Sequence, residues 1–147
     1  MLVGFRRPTI AAFLLLVPLF ISDVGAVEDP GAHWKESLAG TKLEQQWHAS
    51  GGPTDATAKT TWHLCPDGTF RSSHSATASV EAQGSLSLSS NQVTHSGRWS
   101  VETRGQDVFL VLRQRDGRTI SYRLSSDGQT TYLDGQGVIQ TRSRLCS

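Results

Sequence analysis

The chain has 147 residues, with 14 Lys and Arg against 13 Asp and Glu, two Cys and one Met. Residues 1–26 hold 17 of its apolar residues, so the remaining 121 are only about 31% apolar and carry 17 Ser, 13 Thr and 12 Gly. These counts exclude a polytopic membrane protein, a coiled coil and a large multidomain enzyme, and they fit one domain.

Residues 1–26 read as a secretory signal peptide. Arg6 and Arg7 supply the cationic start, and residues 10–21 form a 12-residue apolar run broken only by Pro18. Val24 and Ala26 are small at the −3 and −1 positions of a cleavage site. The run is short for a spanning helix, which needs about 20 apolar residues. Removing residues 1–26 takes away Arg6, Arg7 and Asp23, leaving 12 cations against 12 anions. A neutral domain has no global field to draw nucleic acid or an anionic membrane surface. The expectation is an exported protein, periplasmic or extracellular, monomeric, without nucleic acid and without stable membrane insertion after cleavage.

Residues 27–37 form a lead-in, within which residues 30–38 are the one segment with a helical pattern. Trp34 and Leu38 are four apart and fall on one helical face. Such a turn can cap one end of a barrel. Residues 38–147 form the domain.

Four Asp-Gly pairs punctuate that domain: Asp67-Gly68, Asp116-Gly117, Asp127-Gly128 and Asp134-Gly135. Asp and Gly tolerate the positive φ of tight hairpin turns. Gly105-Gln106 makes a similar break. The spacing suits strands and leaves no room for crossover helices. Leu43, Gln45, Trp47 and Ala49 share one face of a first strand, and Thr60, Trp62 and Leu64 one face of a second. Phe70 opens a third. A further strand falls within residues 84–95, and Trp99 with Val101 marks another. Residues 108–112 are the most apolar run and are expected to be covered on both faces. Ile120, Tyr122 and Leu124 alternate with polar neighbours, and Tyr132-Leu133 and Val138-Ile139 complete the set. About eight antiparallel strands at this spacing predict an all-β, up-and-down barrel. Residues 72–97 carry few large side chains, which predicts a Ser-rich extended hairpin with a loosely held tip.

Cys65 and Cys146 are an even pair in an exported chain, which predicts a disulfide closing a loop of about 80 residues. There is no Cys-x-x-Cys of a redox site and no ligand set of a zinc site. Of five histidines, His48 and His63 fall next to Trp47 and Trp62 and are expected on the outer face together. No metal and no cofactor is expected. No Gly-x-Ser-x-Gly occurs, so no catalytic residues are assigned and no enzyme is expected. Trp47, Trp62, Trp99 and Tyr122 are core candidates that could also line a ligand pocket at a barrel mouth. Arg113, Arg115, Arg118 and Arg123 surround one turn and read as a charged, solvated hairpin, with an anion patch as the alternative.

Four stretches carry a resemblance: Leu38-Ala39-Gly40, the run from His63 through Leu64, Cys65, Pro66, Asp67, Gly68 and Thr69 to Phe70, Gly97-Arg98-Trp99, and Tyr132-Leu133-Asp134-Gly135. Over residues 38–140 the pattern resembles lipocalin-like (calycin-like) barrels, and more narrowly small exported bacterial β-barrel modules. Lys42 stands where a lipocalin carries its first-strand Trp. The resemblance implies a non-enzymatic binding module for a small apolar ligand or an envelope component. Small exported barrels with one disulfide also resemble inhibitors of exported hydrolases of the protease or lysozyme type, which is the alternative.

Overall fold

A computed structural model describes residues 29–49, 54–80 and 86–146. Residues 1–26, the expected signal peptide, lie outside the described residues. Helix α1 (Pro30–Leu38) precedes eight strands: β1 (Thr41–Ala49), β2 (Thr54–Leu64), β3 (Thr69–Val80), β4 (Leu86–Arg104), β5 (Asp107–Gln114), β6 (Thr119–Ser126), β7 (Thr131–Leu133) and β8 (Gln136–Arg142). Each strand pairs antiparallel with the next, and β8 returns to β1, so the sheet closes into a barrel. Closure removes the free edges from the paired part of the sheet. Among the described residues, no helix is long and apolar enough to cross a membrane.

The predicted turns all fall between strands. The β7–β8 turn places both Asp134 (φ 51°) and Gly135 (φ 80°) in the left-handed region. That is the conformation a two-residue hairpin needs to match strand twist, and Asp-Gly tolerates it. Strand β4 corrects one expectation. The strands expected within residues 84–95 and at Trp99–Val101 are one continuous strand of 19 residues. Gly97 falls between them without breaking the strand. Gly97 instead permits a close crossing: a Cβ there would lie 1.9 Å from the Arg113 carbonyl oxygen on β5. Glycine at a tight bend of a barrel strand serves this purpose.

The closed end is sealed by α1. Asp29 caps the helix, its Oδ1 accepting from Gly31 N at 3.0 Å, and Pro30 occupies the first turn, where its missing N–H is no loss. Thr41 Oγ1 donates to the Leu38 carbonyl at 2.7 Å and ends the helix. Leu38 is fully buried against the barrel floor, and Trp34 packs beside it. Alternation then fills the body from every strand: Leu43, Leu64, Phe70, Trp99, Val108, Leu110, Leu112, Leu124, Leu133 and Val138 are all buried in one cluster. Residues 108–112 are not uniformly covered: Val111 is buried on the outer side, while Phe109 is half-buried with Arg104 over its ring at 4.9 Å. The Cys65–Cys146 disulfide pins the tail to the β2–β3 turn.

Only residues 41–44 of β1 pair with β8, and only residues 97–104 of β4 pair with β5. Beyond those points β1 to β4 continue as an open four-stranded extension. The tip of its Ser-rich hairpin, residues 81–85, lies outside the described residues.

Candidate functional site

The open end of the barrel is where the apolar filling stops. Above Leu112, the inward positions become polar: Gln45 on β1, Thr60 on β2, Ser72 and His74 on β3, His95 on β4 and Gln114 on β5. They enclose a cavity of about 270 Å³ whose apolar part is Trp62, Leu112, Ile120 and Tyr122. This lies just below the roughly 300–1,000 Å³ typical of ligand cavities.

The floor is rigid. Trp62 is buried, and its ring meets that of Tyr122 edge-on, with centroids 5.4 Å apart and planes at 70°. Edge-to-face pairs of this kind are favoured by the ring quadrupoles. Burial, and then the Asp134 carboxylate, push the Tyr122 phenol above its ordinary range, so it stays a neutral hydroxyl at physiological pH. The wall is ordered as well: His74 Nδ1 and Thr60 Oγ1 are hydrogen-bonded at 2.9 Å, and Gln45 Nε2 donates to Gln136 Oε1 at the rim.

One atom in this wall has no partner. Gln114 Oε1 is buried and, among the described residues, is the buried side-chain acceptor left without a hydrogen bond. A buried amide oxygen left unpaired costs about 1–3 kcal/mol. The arrangement can therefore seat one small body on an aromatic floor beneath a polar wall.

The four aromatic residues predicted to line a pocket are not brought together. Trp62 and Tyr122 form the floor. Trp47 stands beyond the rim and is 53% exposed. Trp99 lies toward the closed end, with its indole N–H donating to the Cys65 carbonyl at 2.8 Å. The polar wall went unpredicted, although a signal for part of it was present. Gln45 and Thr60 sit on the same alternating faces as Leu43 and Trp62, and a polar residue at an inward position is out of place unless something meets it.

His48 and His63 both face outward but are not together. His48 pairs with Thr57 and His63 with Lys42, six positions apart along β2, or about 20 Å. Among the described residues no group of three His, Cys, Asp or Glu could hold a metal ion. His63 Nδ1 and Ser143 Oγ form a hydrogen bond of 2.9 Å, but that hydroxyl also accepts from Leu145 N at 3.2 Å and lies 3.3 Å from Cys146 Sγ. The hydroxyl is thus engaged in holding the tail. Burial first, and Lys42 second, lower the His63 pKa, which keeps the ring neutral in this clasp.

Around the Asp116-Gly117 turn, Arg113 is paired with Glu102, Arg118 with Asp116 and Arg123 with Asp107. Three of the four arginines therefore belong to a charge-balanced hairpin. No protein-family model matches the chain, and a search of the curated proteins returns no match.

Proposed function

We propose that this protein is an exported, non-enzymatic binding module of the lipocalin-like type, which holds a small amphipathic ligand at the open end of its barrel. The observation that carries this reading is the open-end cavity of about 270 Å³, floored by Trp62 and Tyr122 and walled by polar side chains that include Gln114. The ligand has one flat apolar face and at least one N–H or O–H donor. The apolar ligand expected at the barrel mouth would meet Trp62, Leu112, Ile120 and Tyr122 there, since the body below is filled by Phe70 and its leucine neighbours. Export is supported by the leader layout of residues 1–26 and by a disulfide that an oxidising compartment would maintain. An outer face bearing Lys42, Glu44, Lys59, Glu102 and Arg113 favours a barrel that works in water, since membrane barrels turn an apolar band outward.

The test is an NMR screen of small aromatic fragments against the mature protein and a Thr60→Trp variant that fills the mouth. Fragments that shift the Trp62 indole and Tyr122 resonances only in the unmodified protein support the reading. Binding that survives the filled mouth contradicts it.

A second reading, an inhibitor of an exported hydrolase, draws on the β1–β4 extension, which presents Trp47 and Val93 beyond the barrel body. It requires a stoichiometric complex with a protease or lysozyme that Trp47→Ala weakens, and a complex indifferent to that change removes its basis.

A further inference from the structure

The outer face of β2 to β5 carries a second, larger basin of about 960 Å³, bounded on one side by the disulfide and Leu145. Its chemistry follows from register. His63 on β2 pairs with Arg71 on β3, and Arg71 with Ser96 on β4. Arg115, just after β5, donates its backbone N–H to the Ser96 carbonyl at 3.0 Å. These residues therefore form one cross-strand row, with the Arg71 and Arg115 backbones about 10 Å apart, two strand spacings.

This pair differs from the ion-paired arginines of β4 to β6, while Arg98 beside it is, among the described residues, likewise without an ion pair. Arg104, Arg113, Arg118 and Arg123 each have a carboxylate within ion-pair distance. Among the described residues, Arg71 and Arg115 have none. One carboxylate, Asp67, lines the basin, but its Oδ1 is held by Thr69 N at 2.9 Å and Thr69 Oγ1 at 2.6 Å, in the turn beside Arg98. Two unneutralised cations on one row repel each other, and an anion between them relieves that repulsion. The guanidinium fork matches carboxylate, sulfate and phosphate oxygens. Around the row, the basin is lined by hydroxyl and amide groups: Ser73, Gln92, Thr94 and Ser96.

We propose that this basin is a binding site for an acidic saccharide, with Arg71 and Arg115 clasping its oxyanion and the Ser73–Thr94–Ser96 surface meeting its hydroxyls. The site is separate from the barrel mouth and does not depend on how that mouth is used. Arg115 thereby leaves the charge-balanced hairpin that its neighbours in sequence form and joins Arg71, 44 positions earlier in the chain.

The experiment is calorimetric titration of the mature protein at low salt with four probes: oligogalacturonate, a sulfated disaccharide, sodium sulfate and a neutral maltooligosaccharide. Both acidic saccharides are expected to bind more tightly than inorganic sulfate, and the neutral sugar is expected not to bind. Arg71→Gln and Arg115→Gln should each weaken binding about tenfold, in line with loss of one charge-assisted contact. Arg104→Gln, which removes an arginine already paired, should change nothing. Arg71 and Arg115 are exposed, so both variants should melt close to the parent. If only one acidic class binds, the oxyanion is identified as carboxylate or sulfate. Equal binding of inorganic sulfate and the saccharides, binding of the neutral sugar, or indifference to both substitutions would each overturn the proposal.

Discussion

The disulfide gives the sharpest stability prediction. Cys65 and Cys146 are 81 positions apart, so the bond restricts more than half of the chain when it unfolds. The chain-entropy treatment assigns a loop of this size about 4–5 kcal/mol. In the folded protein the tail has other anchors: Ser143 N donates to the Gly40 carbonyl at 2.8 Å, and His63 holds the Ser143 hydroxyl. Removing the bond should therefore leave the fold in place and act mainly on the unfolded ensemble. A C65S/C146S double variant avoids a stray thiol. At roughly 4 °C per kcal/mol for a domain of this size, its melting temperature should fall by about 15–20 °C. Differential scanning calorimetry on both proteins, with circular dichroism to verify the native spectrum, measures this. A fall under about 5 °C with an unchanged spectrum would refute the entropic reasoning. So would a variant that fails to adopt the barrel, because the tail's remaining contacts are then insufficient.

Three further predictions concern the body of the barrel. Gly97→Ala places a methyl where the Arg113 carbonyl already sits and should destabilise by at least about 2 kcal/mol in urea unfolding, whereas Gly117→Ala meets no neighbour and is strained only by its positive φ. Trp99→Phe keeps a ring but removes the N–H donated to Cys65, and a loss of about 1–2 kcal/mol is expected by the same measurement. Lys59 first, then Gln46 and Lys42, hold the Glu44 carboxyl at about 2, below its ordinary 4.5. Because the folded value is depressed, the stabilisation is fully present above pH 5 and is lost as pH falls toward 2. Glu44→Gln should therefore cost about 1 kcal/mol at pH 7, limited by the exposure of both lysines, and the difference should vanish near pH 2. A gap that persists at pH 2 would assign the loss to packing rather than charge.

Much of the fold was legible because strand alternation and turn chemistry are local. Asp67-Gly68 and its three counterparts need no distant partner to declare a turn, and Leu43, Trp62 and Tyr122 point inward by period alone. What was not legible depends on register. The close crossing at Gly97 is invisible in the sequence, because the β5 backbone passes within 2 Å of its missing Cβ only once the strands pair. His48 and His63 look adjacent when each follows an inward tryptophan, yet the pairing of His63 with Lys42 separates them by six positions along β2. The cavity wall is of the same kind. Gln114 ends an apolar strand, and only its pairing with Gly97 places it in the wall of the mouth. The Arg71–Ser96–Arg115 row spans three strands, so no window of sequence contains it.

The central claim is occupancy of the open end. Native mass spectrometry of the mature protein purified from its own host, alongside a Gln114→Leu variant prepared identically, tests it most directly. A discrete mass increment on the parent protein, reduced or absent in the variant, is expected. Bare protein in both preparations, or an identical increment on both, would contradict it.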